Sequence, residues 1–299
     1  MPDNQLAKKN KARIVEEALH ILFFICGVLA IAFVLGISVY LIIAGVPAIR
    51  KIGLVNFLFG KEWSPTATTK EPQYGILPFI LTSVYGTAGA IIIGVPIGIM
   101  TAIFISKVAP PKVAKVMKTA VELLAGIPSV VYGLVGMIVL VPLIQRTFGL
   151  SSGATLLAAI LVLSIMVLPS IVNVSETALN AVPKEYEEAS IALGATKLET
   201  YFRVSFHAAK RGIVTAVMLG VGRAVGEAMA VIMVSGNACN MPGLFKSVRF
   251  LTTAIASEMS YAAVGSLHRQ ALFSIGLVLF VFIMILNVIL NVLTKKDRQ

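Results

Sequence analysis

Five long stretches without a charged side chain constrain the fold of this chain more than any other feature of its sequence. They cover residues 21–49, 72–106, 123–145, 147–175 and 270–294. Each is longer than the ~20 residues that a helix needs to cross a ~30 Å hydrocarbon layer. Only helices and closed barrels satisfy their backbone polar groups in lipid, and these stretches lack the alternation of barrel strands. The sequence therefore predicts membrane-crossing helices.

A sixth crossing is predicted at about 212–235, which is apolar apart from Arg223 and Glu227. We therefore expect an all-α polytopic membrane protein with six transmembrane helices. The composition agrees with this class, because 58% of the 299 residues are hydrophobic and only 13% are charged. A soluble domain has roughly 25% charged residues.

The net charge of +11 is explained by the distribution of basic residues along the chain. With both termini on the cytoplasmic side, the cytoplasmic segments hold 16 of the 25 Lys and Arg residues, and the extracytoplasmic segments hold eight. This is the positive-inside pattern that orients membrane proteins. We predict a multi-pass protein of the cytoplasmic membrane with both termini in the cytoplasm, and no nucleic-acid partner.

The first uncharged run follows a basic N-terminal segment, as a secretory signal would. A signal has an apolar region of about 7–15 residues and ends at a small-residue cleavage site. The run at 21–49 is about twice as long and ends near Pro47 and Arg50, so we expect it to remain as an anchor. Cys26 and Cys239 are predicted to be unpaired, and no paired Cys/His spacing indicates a metal site.

The segment 176–211 is too polar to cross lipid, and it carries signals for two short helices. Pro183 can occupy a first helical turn, and the acidic residues that follow it favour the positive end of a helix. Gly194 can adopt a positive φ and end that helix. The Thr196–Glu199 pattern matches a capping box, which predicts that a second helix begins there. Capping alone favours an ordinary surface loop on the cytoplasmic side.

Within this segment, Glu188, Ala189 and Ser190, followed by Gly194, resemble the EAA loop of the membrane subunits of ABC importers. In that family the loop forms coupling helices that dock into a groove on the ATPase. The resemblance implies that these four residues take part in ATPase coupling. The sequence departs from the family pattern at Ser190, which replaces an Ala, and at His207, which stands where a Pro is usual.

The resemblance extends over about residues 57–280, and it is strongest to the PstC-type permease subunits of phosphate-specific ABC importers. The matching stretches include Phe57–Trp63, Val121–Ser129, Gly222–Val231, Ser235–Asn237, Leu251–Met259 and His268–Phe273. It implies the type I importer transmembrane fold and ATP-driven import of inorganic phosphate by alternating access. It also implies a second, related permease subunit in a heterodimer, a dimer of ATPase subunits and an extracytoplasmic phosphate-binding protein. ATP and Mg would bind to the ATPase, and no cofactor would bind to this chain.

The predicted crossings divide the chain into a first helix, which we expect to be peripheral, and a permease core. The expected segments are a cytoplasmic N-terminal segment at 1–17, the first transmembrane helix at 18–49, an extracytoplasmic segment at 50–74, a core of five transmembrane helices at 75–294 that includes the cytoplasmic coupling loop 176–211, and a cytoplasmic tail at 295–299.

Arg223 and Glu227 are the candidate residues for substrate translocation. A charged side chain at mid-bilayer costs at least ~2.5–3.5 kcal/mol, so it normally faces a cavity or a partner. The planar fork of an arginine suits an oxyanion, because it donates paired hydrogen bonds. We expect Glu227 to act as a counter-ion or gate, or to pair with the partner permease. The alternative is an intrahelical ion pair, since the two residues are four apart.

Gly126-Ile127-Pro128 is predicted to break or kink the third crossing at Gly126 and Pro128. Such a break fits a moving element, but it is also common in ordinary membrane helices.

The sequence lacks the signatures of the common hydrolytic enzymes. It has no P-loop for ATP, no His-Glu-x-x-His and no Gly-x-Ser-x-Gly, so this chain is expected to be a transporter subunit and not an enzyme. Three alternatives stay open: a permease for another oxyanion, a proton-coupled carrier that uses Glu227, and a structural or signalling membrane subunit.

Overall fold

The computed structural model describes residues 3–66 and 71–296, and most of this part of the chain is helical. Residues 297–299 of the predicted tail lie outside the described residues. The helices are α1 (Asp3–Ile52), α2 (Leu54–Phe59), α3 (Leu77–Ile103), α4 (Pro111–Gly126), α5 (Ser129–Val135), α6 (Val141–Phe148), α7 (Leu156–Asn180), α8 (Lys184–Ala192), α9 (Lys197–Glu199), α10 (Phe206–Ala208), α11 (Lys210–Gly226), α12 (Met229–Val234), α13 (Leu251–Glu258) and α14 (Leu267–Lys296). π-Helical turns occupy Phe104–Val108, Gly136–Leu140 and Thr200–Ser205. Two short antiparallel strands, β1 (Trp63–Ser64) and β2 (Gln73–Tyr74), pair with Trp63 opposite Tyr74.

Five helical stretches in the described residues are long and apolar enough to cross a membrane. They are Leu19–Ile52, Leu77–Val108, Ser129–Phe148, Leu156–Asn180 and Leu267–Ile289. Each overlaps one of the five uncharged runs, so these five predicted crossings are confirmed. The segment predicted as the sixth crossing contains two helices, α11 and α12, with a break between them.

The third crossing begins later than the sequence predicts, because a separate helix precedes it. The charged, proline-containing segment 106–118 predicts only a short connection, but it contains the start of α4. Pro111 occupies the first turn of α4, where its missing N–H costs no helical hydrogen bond. α4 ends at Gly126, and the crossing itself starts at Ser129.

α7 is the central helix of the core. Along the most apolar 18 residues of α7, 61% of the residues are buried. Along the most apolar 18 residues of α1, none are buried. α3 and α11 pack along α7. The contact with α3 is close because glycines face large side chains: a Cβ at Gly94 would lie 2.7 Å from Val167, and a Cβ at Gly98 would lie 2.7 Å from Ile171. Small residues at helix interfaces are how membrane helices approach closely.

α1 is a peripheral helix that packs against α14. Their closest approach is at Gly45, where a Cβ would lie 3.1 Å from the backbone of Phe273. The Ser274 hydroxyl donates to the Gly45 carbonyl at 2.6 Å, and the rings of Tyr40 and Phe273 meet edge to face. Most side chains in the apolar part of α1 are exposed, so this helix is attached to the core through a narrow contact.

The segment after α1 covers one end of the α1–α14 pair. α2 and the β1–β2 pair bring Trp63 against Tyr74 and Phe79, with ring centroids 5.9 and 5.6 Å apart. Phe57 and Trp63 belong to a buried cluster with residues of α3, α13 and α14. This segment is therefore packed onto the core.

Replacing Gly45 with leucine should weaken the attachment of α1. The new side chain would collide with the α14 backbone, and overpacking of this kind costs about 1–3 kcal/mol. We expect a lower melting temperature of the purified protein in detergent. Gly36→Leu is the matched control, because a Cβ at Gly36 meets nothing within 4 Å. Equal melting temperatures for the two variants would contradict this packing.

Candidate functional site

The segment of the sixth predicted crossing is interrupted at Glu227, one of its two candidate charged residues. α11 ends at Gly226, Glu227 has φ −73° and ψ 128°, and α12 starts at Met229. The segment 212–235 therefore consists of two helices that meet at this break. The Glu227 carboxylate accepts a hydrogen bond from the Ala230 backbone N–H at 3.0 Å, and the Thr252 hydroxyl donates to the Glu227 carbonyl at 2.7 Å. These two contacts satisfy backbone groups that the break would leave without partners.

Arg223 lies one turn before this break, on α11, and its side chain is half-buried. Its Nη1 donates to the Ser170 hydroxyl of α7 at 3.4 Å, which is longer than an ordinary hydrogen bond. The guanidinium is thus held near α7 by a weak contact. The Glu227 carboxylate, which the sequence placed as a possible intrahelical partner for Arg223, caps α12 in this structure.

The face of α7 next to Arg223 carries further polar side chains. Ser170, Asn173 and Thr177 are spaced by three and four residues, so they lie on one side of the helix. None of the three is fully buried. Together with Arg223 they place hydrogen-bonding groups and one positive charge on this side of α7. This chemistry suits a small anion.

One face of α11 is left open beside the break. The exposed residues of this face are Thr215, Leu219, Gly222 and Gly226. The Gly222-x-x-x-Gly226 spacing is typical of close packing between membrane helices, but within this chain a Cβ at either position would meet nothing within 4 Å. The close contact is instead at Gly220, where a Cβ would lie 3.0 Å from Ile171 of α7.

The break between α4 and α5 lies at Gly126-Ile127-Pro128. Ile127 has φ −71° and ψ 126°, and Pro128 precedes the first residue of α5. The Tyr132 hydroxyl donates to the Leu124 carbonyl at 2.7 Å, so it satisfies one carbonyl in the last turn of α4. Ile127 and Tyr132 also line an apolar cavity of about 370 Å³ between α5, α7 and the adjoining π-helical turn.

The polar segment after α7 folds into the two short helices that its capping signals predict. Pro183 precedes α8 as its N-cap. Gly194 has φ +91° and ends α8 in a Schellman motif, with the Ala195 N–H donating to the Ser190 carbonyl and the Gly194 N–H to the Ile191 carbonyl. The capping box predicted at Thr196 is confirmed, with both of its hydrogen bonds present.

Hydrogen bonds from the Thr196 backbone N–H and hydroxyl to Glu199 Oε2, at 3.0 and 2.9 Å, lower the pKa of the Glu199 carboxyl. Because this pKa is lowered on folding, the contact contributes its full stability above the ordinary pKa of a glutamate. The contribution is lost as the pH falls through the lowered value. The turn between α8 and α9 is therefore fully capped at neutral pH.

α8 and the turn after it present an apolar patch to the surroundings. Tyr186, Ile191, Leu193 and Leu198 are 56%, 45%, 90% and 60% exposed. Leu193 stands at the end of α8, where almost none of its side chain is covered. Apolar side chains grouped in this way on an otherwise polar segment mark an interaction surface.

The four residues of the EAA-like motif do not share one environment. Glu188, Ala189 and Gly194 are exposed. Ser190 is half-buried, and its hydroxyl lies 2.9 Å from the hydroxyl of the fully buried Thr200. Ser190 thus ties α8 to the segment that follows it, which an alanine at this position could not do.

A second contact, which the sequence did not predict, attaches α8 to the rest of the protein. Glu187 Oε1 lies 2.6 Å from the Lys107 ammonium and accepts a hydrogen bond from the Ser205 hydroxyl at 2.9 Å. Both charged side chains are mostly buried, with 11% and 18% exposed. Lys107 lies in the π-helical turn that ends the second crossing, so this ion pair links α8 to α3. This ion pair has only a weak signal in the sequence: Glu187 is adjacent to the EAA-like motif, and Lys107 follows the uncharged run 72–106.

A third polar link joins α4 and the end of α3 to α7. Lys118 and Asn180 both donate to the buried Glu176 carboxylate, at 3.1 and 3.2 Å. The Ser106 hydroxyl donates to Asn180 at 2.8 Å. The end of the core nearest α8 is therefore held by ion pairs and hydrogen bonds, and its centre by apolar packing.

Comparison with known proteins places this architecture in one family. The family described as binding-protein-dependent transport system inner membrane component matches residues 94–298. The probable ABC transporter permease protein YqgH of Bacillus subtilis (strain 168) is 39% identical over 276 residues, which cover 91% of this chain and 89% of the relative. The phosphate transport system permease protein PstC of Haemophilus influenzae is 34% identical over 285 residues, which cover 88% of each protein.

Among solved structures, a chain of the MetNI methionine ABC transporter in an inward-facing conformation matches with a TM-score of 0.58 and 20% identity. The match covers 74% of this chain and 95% of that one. This likeness shows the fold, which is the expected all-helical fold of type I ABC importer permeases. On the family match and the two relatives, this chain belongs to the inner membrane permease subunits of binding-protein-dependent ABC importers.

Proposed function

We propose that this chain is one of two permease subunits of an ATP-driven importer that carries inorganic phosphate across the cytoplasmic membrane. The observation that carries the proposal is the half-buried Arg223 beside a broken crossing, with a hydroxyl of α7 as its hydrogen-bond partner. A guanidinium in this position gives an oxyanion paired donors and an opposite charge. The relatives named as PstC phosphate permeases support phosphate as the anion.

A permease of this family is a transport component and not itself an enzyme, and its family works with an ATPase and a substrate-binding protein. In our proposal both termini of this chain lie in the cytoplasm, in line with the positive-inside bias of its Lys and Arg residues. α8 then lies on the cytoplasmic side and the β1–β2 pair on the outer side. ATP and Mg are bound by two ATPase subunits, and no cofactor binds to this chain. A phosphate-binding protein delivers the anion from outside.

The apolar patch of α8 is the proposed docking site for the ATPase. Leu193 and its neighbours offer apolar area to a groove, and the exposed Glu188 and Ala189 lie on the same helix. A Schellman motif ends α8, and in this proposal the short helix moves as a unit. Ser190 and Glu187 attach it to the permease at separate points.

Movement of α8 reaches the core through Lys107 in this proposal. The Glu187–Lys107 pair transmits the displacement of α8 to the end of α3, and α3 packs along α7. α7 carries Ser170, the contact of Arg223. ATP binding and hydrolysis thereby shift the region around Arg223 between outward and inward access, and the anion passes without chemical change.

The open face of α11 is the proposed side on which the second permease completes the path. Gly222 and Gly226 leave room there for another subunit. Because that subunit is related and not identical, the pair is a heterodimer.

Replacing Arg223 with glutamine should abolish most phosphate uptake. Charge-assisted hydrogen bonds contribute about 1.5–3 kcal/mol each, so we expect uptake to fall roughly 10- to 100-fold. The measurement is ATP-dependent uptake of labelled phosphate by the complete complex in proteoliposomes. Arg211→Gln, which removes an exposed charge from the inner end of the same helix, is the matched control and should keep normal uptake. Normal uptake by Arg223→Gln would contradict the assignment.

The same assay with labelled sulfate separates phosphate from another oxyanion. We expect the complex to take up phosphate and to discriminate against sulfate, because at neutral pH phosphate carries a proton that a hydrogen-bond acceptor can bind. Equal uptake of the two anions would favour a general oxyanion permease. Uptake that continues without ATP and stops when the proton gradient collapses would favour a secondary carrier.

Replacing Lys107 with glutamine should uncouple ATP hydrolysis from transport. It leaves Glu187 largely buried without its cation, so α8 no longer displaces α3 efficiently. We expect phosphate uptake per ATP hydrolysed to fall roughly tenfold, within the range of 1–3 kcal/mol typical of coupling free energies. Lys112→Gln, an exposed lysine on α4, is the control and should keep the parent ratio. An unchanged ratio in both variants would show that the Lys107–Glu187 contact transmits nothing.

A further inference from the structure

α12, the outer half of the broken crossing, is too short to be stable by itself. It has six residues, Met229–Val234, and helices shorter than about 12 residues are marginal without tertiary contacts. Its position must therefore be set by its neighbours. Ala230, Val231 and Val234 are fully buried in the core and supply its packing.

The start of α12 is fixed by a residue of α13. The Thr252 hydroxyl donates to the Glu227 carbonyl at 2.7 Å, immediately before α12 begins. α13 is in turn attached to α3, because the Leu251 N–H donates to the Ser83 hydroxyl at 3.0 Å. Thr252 therefore connects the break to a helix that is anchored elsewhere.

The end of α12 is fixed by residues that lie just before Thr252 in the sequence. The Val248 N–H donates to the Ser235 carbonyl at 2.9 Å, and Arg249 Nε donates to the Asn237 carbonyl at 3.0 Å. Between these two carbonyls, Gly236 has φ +77°, and a Cβ there would lie 2.6 Å from the Ser247 hydroxyl oxygen. The sequence Ser235-Gly236-Asn237 thus forms a tight turn against the segment 247–249.

Arg249 is itself held by a buried carboxylate. Glu258 is 4% exposed, and its carboxylate contacts the Arg249 guanidinium, the Trp63 indole N–H at 2.9 Å and His268 Nε2 at 2.7 Å. We call Arg249, Glu258, Trp63 and His268 the outer charge cluster. This contact keeps Arg249 in one place, because moving the guanidinium away would cost the buried Glu258 carboxylate its ion pair with Arg249.

We propose that residues 249–252 form a clamp that sets the position of α12 and hence of the break at Glu227, with Arg249 and Thr252 as positioning residues and the outer charge cluster as their support. Arg249 holds the end of α12, and Thr252 holds its start. The clamp rests on the proposed function in taking the break at Glu227 as part of the transport path and in placing α12 on the outer side. In this proposal, residues 249–252 control how far the break opens.

The test measures the opening of the break directly and does not depend on the transported anion. Ala228, which lies beside Glu227 and is half-buried, is replaced by cysteine in a chain that lacks Cys26 and Cys239. The complete complex is labelled from outside with a membrane-impermeant thiol reagent. Thr252→Val removes only the hydroxyl and keeps the side-chain shape, whereas Thr252→Ser keeps the hydroxyl.

Thr252→Val should increase the labelling rate at Ala228→Cys about fivefold. The reason is that losing one hydrogen bond shifts the equilibrium between the closed and open break by about this factor. Thr252→Ser should label at the parent rate. The valine variant should also show a lower kcat for phosphate uptake, with the KM for the loaded binding protein unchanged. An unchanged labelling rate in Thr252→Val, or an equal increase in Thr252→Ser, would overturn the clamp.

A variant at the other end of the clamp gives an independent result. Arg249→Gln combined with Glu258→Gln removes the ion pair without leaving a buried charge alone, and this double variant should also raise the labelling rate. Parent-rate labelling in the double variant would show that the cluster does not support the clamp. If the labelling changes as expected but the parent complex transports no phosphate, the clamp stands and the proposed substrate fails.

Discussion

The structure depends on one constraint, which is that backbone N–H and C=O groups within a membrane must find partners inside the protein. Five crossings meet it with helices long enough to span the hydrocarbon layer. The sixth does not, because α11 stops at Gly226. Its break is tolerated because side chains replace the missing helical bonds: the Glu227 carboxylate accepts the Ala230 N–H, and the Thr252 hydroxyl binds the Glu227 carbonyl. A charged residue in an apolar segment therefore has a structural reason to be there as well as the proposed functional one.

The uncharged runs in the sequence predicted the crossings well, and local capping signals predicted the short helices. Gly194 takes the positive φ that was expected of it, and Thr196 begins a helix with a complete capping box. Both signals act within a few residues of the chain, so no knowledge of the tertiary structure is needed to interpret them.

The features that the sequence did not predict depend on residues that are far apart in the chain. A hydropathy average over 212–235 cannot detect the break at Glu227, and the hydroxyl that satisfies the Glu227 carbonyl comes from Thr252 of α13, far along the chain. The Lys107–Glu187 ion pair is not predictable from the sequence, because its two residues are far apart in the chain. Each of them alone is typical of an ordinary charge near a membrane surface. The lysines of the segment 106–118 favour a short connection, whereas in the structure they lie partly on α4.

The geometry around Arg223 bears on how a transport path can bind an anion and still release it. Within the described part of the chain, the guanidinium makes one long hydrogen bond, to Ser170, and the Glu227 carboxylate accepts the Ala230 N–H. Arg223 is therefore neither neutralised by a tight ion pair nor surrounded by other cations of the described residues. One cation with hydroxyl and amide neighbours attracts an anion without enclosing it, and enclosure by several cations would slow release. Because the face of α11 at Gly222 and Gly226 stays open, the remaining contacts of the anion in the proposed assembly come from the second permease. Relative movement of the two subunits can then assemble and dismantle the site, which is what alternating access requires.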